Sequence, residues 1–155
     1  MNNEITCSLE TTLSYENQEL VYYFARQQSI SIAEADDLFE DLKKWLWLCS
    51  QLDEQSETVF LFQENKILDM YWHTFLLFTE NYIDFCNKYL GGIIFHKPET
   101  LIMSLSQEAR VAAGDKTMIR ENLQRLKSSM CEVGRILGNK TLEKWYYTLP
   151  MKYKR

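Results

Sequence analysis

Asp69 and His73 stand four residues apart in LDMYWHTF, residues 68–75. On a helix that spacing places the acid one turn before the imidazole. The carboxylate can then bond an imidazole nitrogen, or the two can share one cation. The chain has two histidines, His73 and His96. Asp69, His73 and His96 would supply two imidazoles and one carboxylate, a permissible ligand set for an open zinc or non-haem iron site. Glu80 is excluded from that set, because seven residues of helix put it ~10 Å from His73 along the axis. No HExxH spacing accompanies the pair. Two plainer readings stand beside the metal one: a solvated helix face with an incidental histidine, and a structural pin. In the pin, Asp69 orients His73, which donates to a carbonyl in the turn carrying His96.

Other chemistries find less support. Cys7, Cys49, Cys86 and Cys131 are scattered, with no CxxC pair, and read as reduced, mostly buried thiols of a cytosolic chain. No local serine or cysteine motif of a hydrolase is present. Gly91-Gly92 alone does not make a phosphate loop.

The elements that must position these residues read as helices. Five glycines and two prolines in 155 residues suit long helices better than many short strands. A first helix is expected in SYENQELVYYFARQQ with Ser14 as N-cap, after a loose segment 1–13. Ser31-Ile-Ala-Glu34 has the form of a capping box, and Ile32, Ala35, Leu38, Phe39, Leu42, Trp45 and Leu46 follow at helical spacing. Glu40 and Lys44 make a favourable i,i+4 pair. VFLF, residues 59–62, fits a strand or a helical turn equally well.

A third helix is expected from Lys66 to Leu90, ended by a left-handed cap at Gly91-Gly92. Advancing about 100° per residue gathers Leu68, Tyr71, Trp72, Phe75, Phe78, Thr79, Tyr82, Ile83, Phe85, Cys86, Tyr89 and Leu90 on one wide, aromatic-rich half. Asp69, His73, Glu80 and Asp84 take the other side. Pro98 turns the chain out of the helix. LIMSLSQEARVAA is helical to a break near Gly114-Asp115, a long helix runs from Lys116 to Leu137, and TLEKWYY adds a turn or two before a loose tail, 150–155. The expected fold is all-α, one compact domain of about five or six helices spanning 1–155.

The net charge of −5 is unevenly spread. Residues 1–57 carry three basic and twelve acidic side chains, residues 58–109 three and six, and residues 110–155 eleven and four. An acidic first half and a basic last third are expected to face each other within the fold. Lys116, Arg120, Lys127 and Arg135 share one arc of the long helix, a basic stripe that could instead meet a partner. The acidic whole and the lack of interleaved aromatics argue against nucleic acid. The start shows no secretory signal and no apolar run approaches the ~18 residues of a membrane span.

Read at full length, LDMYWHTFLLFTENYIDFCNKYLGGIIFHKPET, residues 68–100, resembles the LDxxWHxFxxFTxxYxxFCxxxxGxxIHHxP segment of a family of small bacterial proteins. It is more distantly similar to the LDxxWHxH signature of glycine-rich-domain-containing proteins. Asp69, Trp72, His73, Phe75, Tyr82, Phe85, Cys86, Gly91, His96 and Pro98 carry the match. Where the pattern has two histidines before the proline, this chain has Phe95-His96, one ligand fewer. Leu90 replaces the usual aromatic before the glycine. The resemblance implies a shared fold rather than a reaction. The function expected is that of a non-catalytic cytoplasmic helical protein acting through protein–protein contact. The alternative is a metal-binding protein or metal-dependent enzyme using Asp69, His73 and His96.

Overall fold

The structure, a computed structural model, describes residues 7–52, 65–95 and 101–154. Those residues are all-helical, with no strand among them. The order is α1 (Leu9–Leu13), α2 (Gln18–Gln28), α3 (Ile32–Gln51), α4 (Lys66–Leu77) and α5 (Thr79–Phe85), which a π turn, Cys86–Leu90, continues. Then come α6 (Leu101–Ala112), α7 (Lys116–Leu137) and α8 (Asn139–Glu143), which runs through a second π turn, Lys144–Thr148, into α9 (Leu149–Lys152). Counting each continuous rod once gives eight helices among the described residues, more than the expected five or six. No helix among them is long and apolar enough to cross a membrane.

The additional helices come from local side-chain chemistry. Residues 8–13 are not loose: Ser8 Oγ accepts from Thr11 N at 3.2 Å and starts α1. Ser14, expected as an N-cap, ends α1 instead, and Asn17 Oδ1 caps α2 by accepting from Leu20 N at 3.1 Å. Ser31 does cap α3, accepting from Glu34 N at 3.0 Å. The helix expected over 66–90 breaks at Phe78, whose backbone (φ −87°, ψ 59°) leaves the helical region. Thr79 Oγ1 donates to Leu76 O at 2.9 Å there, a local bond that competes with the helical ladder. The Phe78 ring turns edge-on to Tyr23 at 5.6 Å. The turn lost at the break leaves Thr79 and Ile83, expected inside, exposed on α5. Residues 150–154 are also tighter than expected, since α9 runs to Lys152 and Tyr153 packs on the core.

α3 is the hub, touching α1, α2, α4, the first π turn and α7. Its inner face meets an aromatic stack, with Phe24 on Tyr71 at 3.7 Å between ring centres and Phe39 on Tyr71 at 5.7 Å. Tyr71 donates its hydroxyl to Ala35 O at 3.0 Å, so the polar end of the ring is satisfied where it is buried. Lys43, not Lys44, pairs with Glu40. The Lys43 ammonium is fully buried and donates to Leu13 O and Tyr15 O, each at 2.8 Å. It thereby satisfies carbonyls that the end of α1 leaves open. Lys43 borders the apolar arc of α3, about 100° from Lys44, and the incoming α1 brings the carbonyls that it meets.

Candidate functional site

α4 brings Asp69 and His73 together on its outer side, with Nδ1 of the imidazole 3.6 Å from Asp69 Oδ2. Both side chains reach solvent, 54% exposed for His73 and 39% for Asp69. That separation suits a loose ion pair when the imidazole is protonated, and it exceeds a direct hydrogen bond. His96, the third member of the expected set, lies outside the described residues, as does Pro98. Among the described residues, no three His, Cys, Asp or Glu side chains gather in metal-ligating geometry.

The chain leading toward His96 is held by the neighbours of His73. Trp72 Nε1 donates to Tyr82 OH at 3.0 Å, and Tyr82 in turn donates to Ile94 O. The Cys86 thiol lies against the same hydroxyl and the Ile94 backbone. Burial, reinforced by Cys86, pushes the Tyr82 phenol well above its usual range, so it stays a donor at any ordinary pH. Gly91, at φ 75°, takes the left-handed conformation that lets the chain turn back. Gly92 N then returns to Cys86 O at 3.3 Å. Most residues carrying the sequence resemblance thus belong to this buried latch or to the aromatic core.

Two of the thiols, Cys49 and Cys86, are deactivated by their surroundings. Burial pushes Cys49 up to about 12 and also raises Cys86, the opposite of activation. Cys131 is exposed, against the expectation of mostly buried cysteines. A cleft of about 160 Å³ at the α1–α2 turn, lined by Tyr15, Asn17, Asp36, Glu40 and Lys43, is smaller than the ~300 Å³ at which ligand pockets begin.

The charge asymmetry resolves into an internal clamp that the expected basic stripe does not supply. Lys144 Nζ reaches Asp37 Oδ2 at 2.7 Å and the buried Asp41 Oδ2 at 2.6 Å. Trp145 Nε1 donates to Asp41 Oδ1 at 2.9 Å. Lys152 meets Glu34 at 2.7 Å, and Tyr153 donates to the same carboxylate. Lys152 and Tyr153 hold Glu34 below its usual range. Burial raises Asp41 despite Lys144 and Trp145. Burial would lower Lys144, but its bonds to Asp37 and Asp41 outweigh that and raise it. These cations sit on the π turn and α9. Lys116, Arg120, Lys127 and Arg135 instead ride exposed on α7, with Arg135 bonded to Glu132.

The α6–α7 hairpin carries a group of exposed apolar side chains. α6 buries none of its residues. Leu101, Ile102, Met103, Leu105 and Val111 are each more than half exposed, as are Ile119 and Leu123 on α7. Leu101, Ile102, Leu105, Ala109 and Ala112 fall on one side of α6 by helical spacing. Periodicity cannot register such exposure, because an amphipathic helix looks the same whether its apolar face is covered or not.

A model of the UCP032817-like family matches residues 11–125, from α1 into α7. No curated protein and no solved structure matches the chain. With about three-quarters of its length so matched, the chain belongs to the UCP032817-like family.

Proposed function

We propose that this protein is a non-catalytic helical module of the bacterial cytoplasm that works through protein–protein contact, with the α6–α7 hairpin as its working surface. The observation that carries the reading is α6, an amphipathic helix of twelve residues that buries none of them. Single exposed apolar side chains are ordinary, whereas a group of them mounted on one hairpin marks an interaction surface. The basic stripe of Lys116, Arg120, Lys127 and Arg135 then forms a polar rim that steers a partner rather than a nucleic-acid site. A photo-crosslinking residue placed at Leu105, compared in cells with one at the exposed Ile32 of α3, tests the idea. A discrete protein adduct from position 105 and none from position 32 is expected. No adduct from either position overturns the reading.

A second reading is favoured by the Asp69–His73 pair and by the latch that fixes Ile94 two residues before His96. In it, Asp69, His73 and His96 hold a zinc or iron ion. The resemblance of residues 68–98 to the longer LDxxWHxF…HxP segment supports this reading, since both histidines fall within that segment. Elemental mass spectrometry on untagged protein is the test. Near-stoichiometric metal that His73→Ala and His96→Ala each abolish supports the site, and metal-free protein sinks it.

A further inference from the structure

Resting on the protein-contact reading, we infer that the partner of the α6–α7 hairpin is a second copy of this chain. Two hairpins pack their α6 stripes together about a twofold axis and close a four-helix bundle.

A hairpin of two helices has only one seam, so each helix keeps an uncovered flank. α6, at twelve residues, is near the length at which an isolated helix is marginal in water, and it depends on packing for its stability. Its only substantial neighbour among the described elements is α7. A second hairpin supplies two helices of matching length and apolar spacing, which is what a four-helix bundle requires. A twofold contact also needs only one patch that is complementary to itself.

Charge favours self-pairing through α6. The helix carries one acidic and one basic side chain, Glu108 and Arg110. Arg110 is engaged within its own chain by Asp115 at 2.7 Å and Glu121 at 3.8 Å. The stripe residues themselves, Leu101, Ile102, Leu105, Ala109 and Ala112, carry no charge, so no like charges stand between two such stripes. Lys116, Arg120 and Lys127 ride on α7, so a contact centred on α6 leaves them at the rim. Five large apolar side chains, Leu101, Ile102 and Leu105 of the stripe with Ile119 and Leu123 on α7, are each more than half exposed, which suits an interface at or below the ~800 Å² that one partner gives to a standard one.

Sedimentation velocity over a wide concentration range, on the full chain, decides the matter. The expected result is a species of twice the 18.5 kDa chain mass. Leu101→Glu with Leu105→Glu weakens its dissociation constant at least ~10-fold, and since both positions are exposed the remaining helices keep their packing. Ile32→Glu, an equally exposed apolar site on α3, leaves the dimer intact. A monomer at every concentration, or a dimer indifferent to the α6 substitutions, overturns the proposal. Hydrogen exchange on such a monomer separates the two possible failures. Fast-exchanging α6 amides leave the face open to a different protein and overturn only the dimer. Protected α6 amides mean that the chain covers its own face, for instance with Val59–Phe62, and both the dimer and the protein-contact reading fall.

Discussion

Trp145 Nε1 donates to Asp41 Oδ1 at 2.9 Å, joining two residues 104 positions apart in a buried bond. The other oxygen of the same carboxylate pairs with Lys144. One acidic side chain of α3 thus holds consecutive residues of the second π turn, and Trp145 packs edge-on against Trp45 at 5.8 Å. The end of the chain is fastened to its first half by this clamp.

The clamp predicts a pH-dependent penalty. Removing Lys144 leaves the Asp41 carboxylate buried without its cation, so Lys144→Met should cost about 3 kcal/mol at pH 7. Burial already raises Asp41 above its ordinary 3.8, so the folded chain binds this proton more tightly than the unfolded one. Its contribution to stability therefore falls as pH climbs from 3.8 through the raised value, and recovers on acidification. Without Lys144 the carboxyl is raised further. The deficit of Lys144→Met relative to wild type, measured by urea unfolding at pH 7 and again in the acidic part of that window, should shrink on acidification. An equal deficit at both pH values would show that Asp41 is not what Lys144 supports.

The latch predicts a local loosening. Tyr82→Phe keeps the ring and removes the hydroxyl, which leaves Trp72 Nε1 without its Tyr82 acceptor and Ile94 O without its donor. The cost should be about 1–3 kcal/mol, with amides of residues 91–95 exchanging faster. Unchanged exchange there would mean that the turn is held by something other than Tyr82.

Those two sites mark how far the sequence could be read. Helical periodicity found α3 and the aromatic inner face of α4, because each buries a continuous stripe, and the span of α7, whose stripe is buried only in part. It also placed Asp69 and His73 on one outer face. It could not see the break at Phe78, where one threonine hydroxyl competes with the ladder, nor the extra helix over residues 9–13, which is too short for a period. The charge asymmetry correctly pointed to contact between the two ends of the chain. It named the α7 arc rather than Lys144 and Lys152, because which cations meet α3 depends on where the last helices dock. The latch was half legible: Trp72, Tyr82 and Cys86 were visible as matched positions, and their bonds to one another needed the turn at Gly91.

Lys43 predicts a separable first helix. Its buried ammonium is shared by Leu13 O, Tyr15 O and the Glu40 carboxylate. Lys43→Met fills similar volume and satisfies none of them, so a loss of about 3 kcal/mol is expected. The damage should concentrate at the end of α1, where limited proteolysis would cut first, near residues 13–17. Cleavage no faster than in wild type would mean that α1 is held by its apolar contacts alone.

His73→Ala should behave unlike any of these. The imidazole is half exposed and its ion pair with Asp69 spans 3.6 Å, a geometry in which pairs contribute roughly 0–1 kcal/mol. Its melting temperature should therefore stay close to that of wild type, well above that of Tyr82→Phe one helix away. The comparison bears directly on what His73 is for. A large thermal loss in His73→Ala that excess zinc or iron does not alter would make the histidine a structural pin for the turn beside it. A small loss, together with a wild-type melting temperature that rises on adding the metal and a mutant that ignores it, would assign the exposed pair to metal binding.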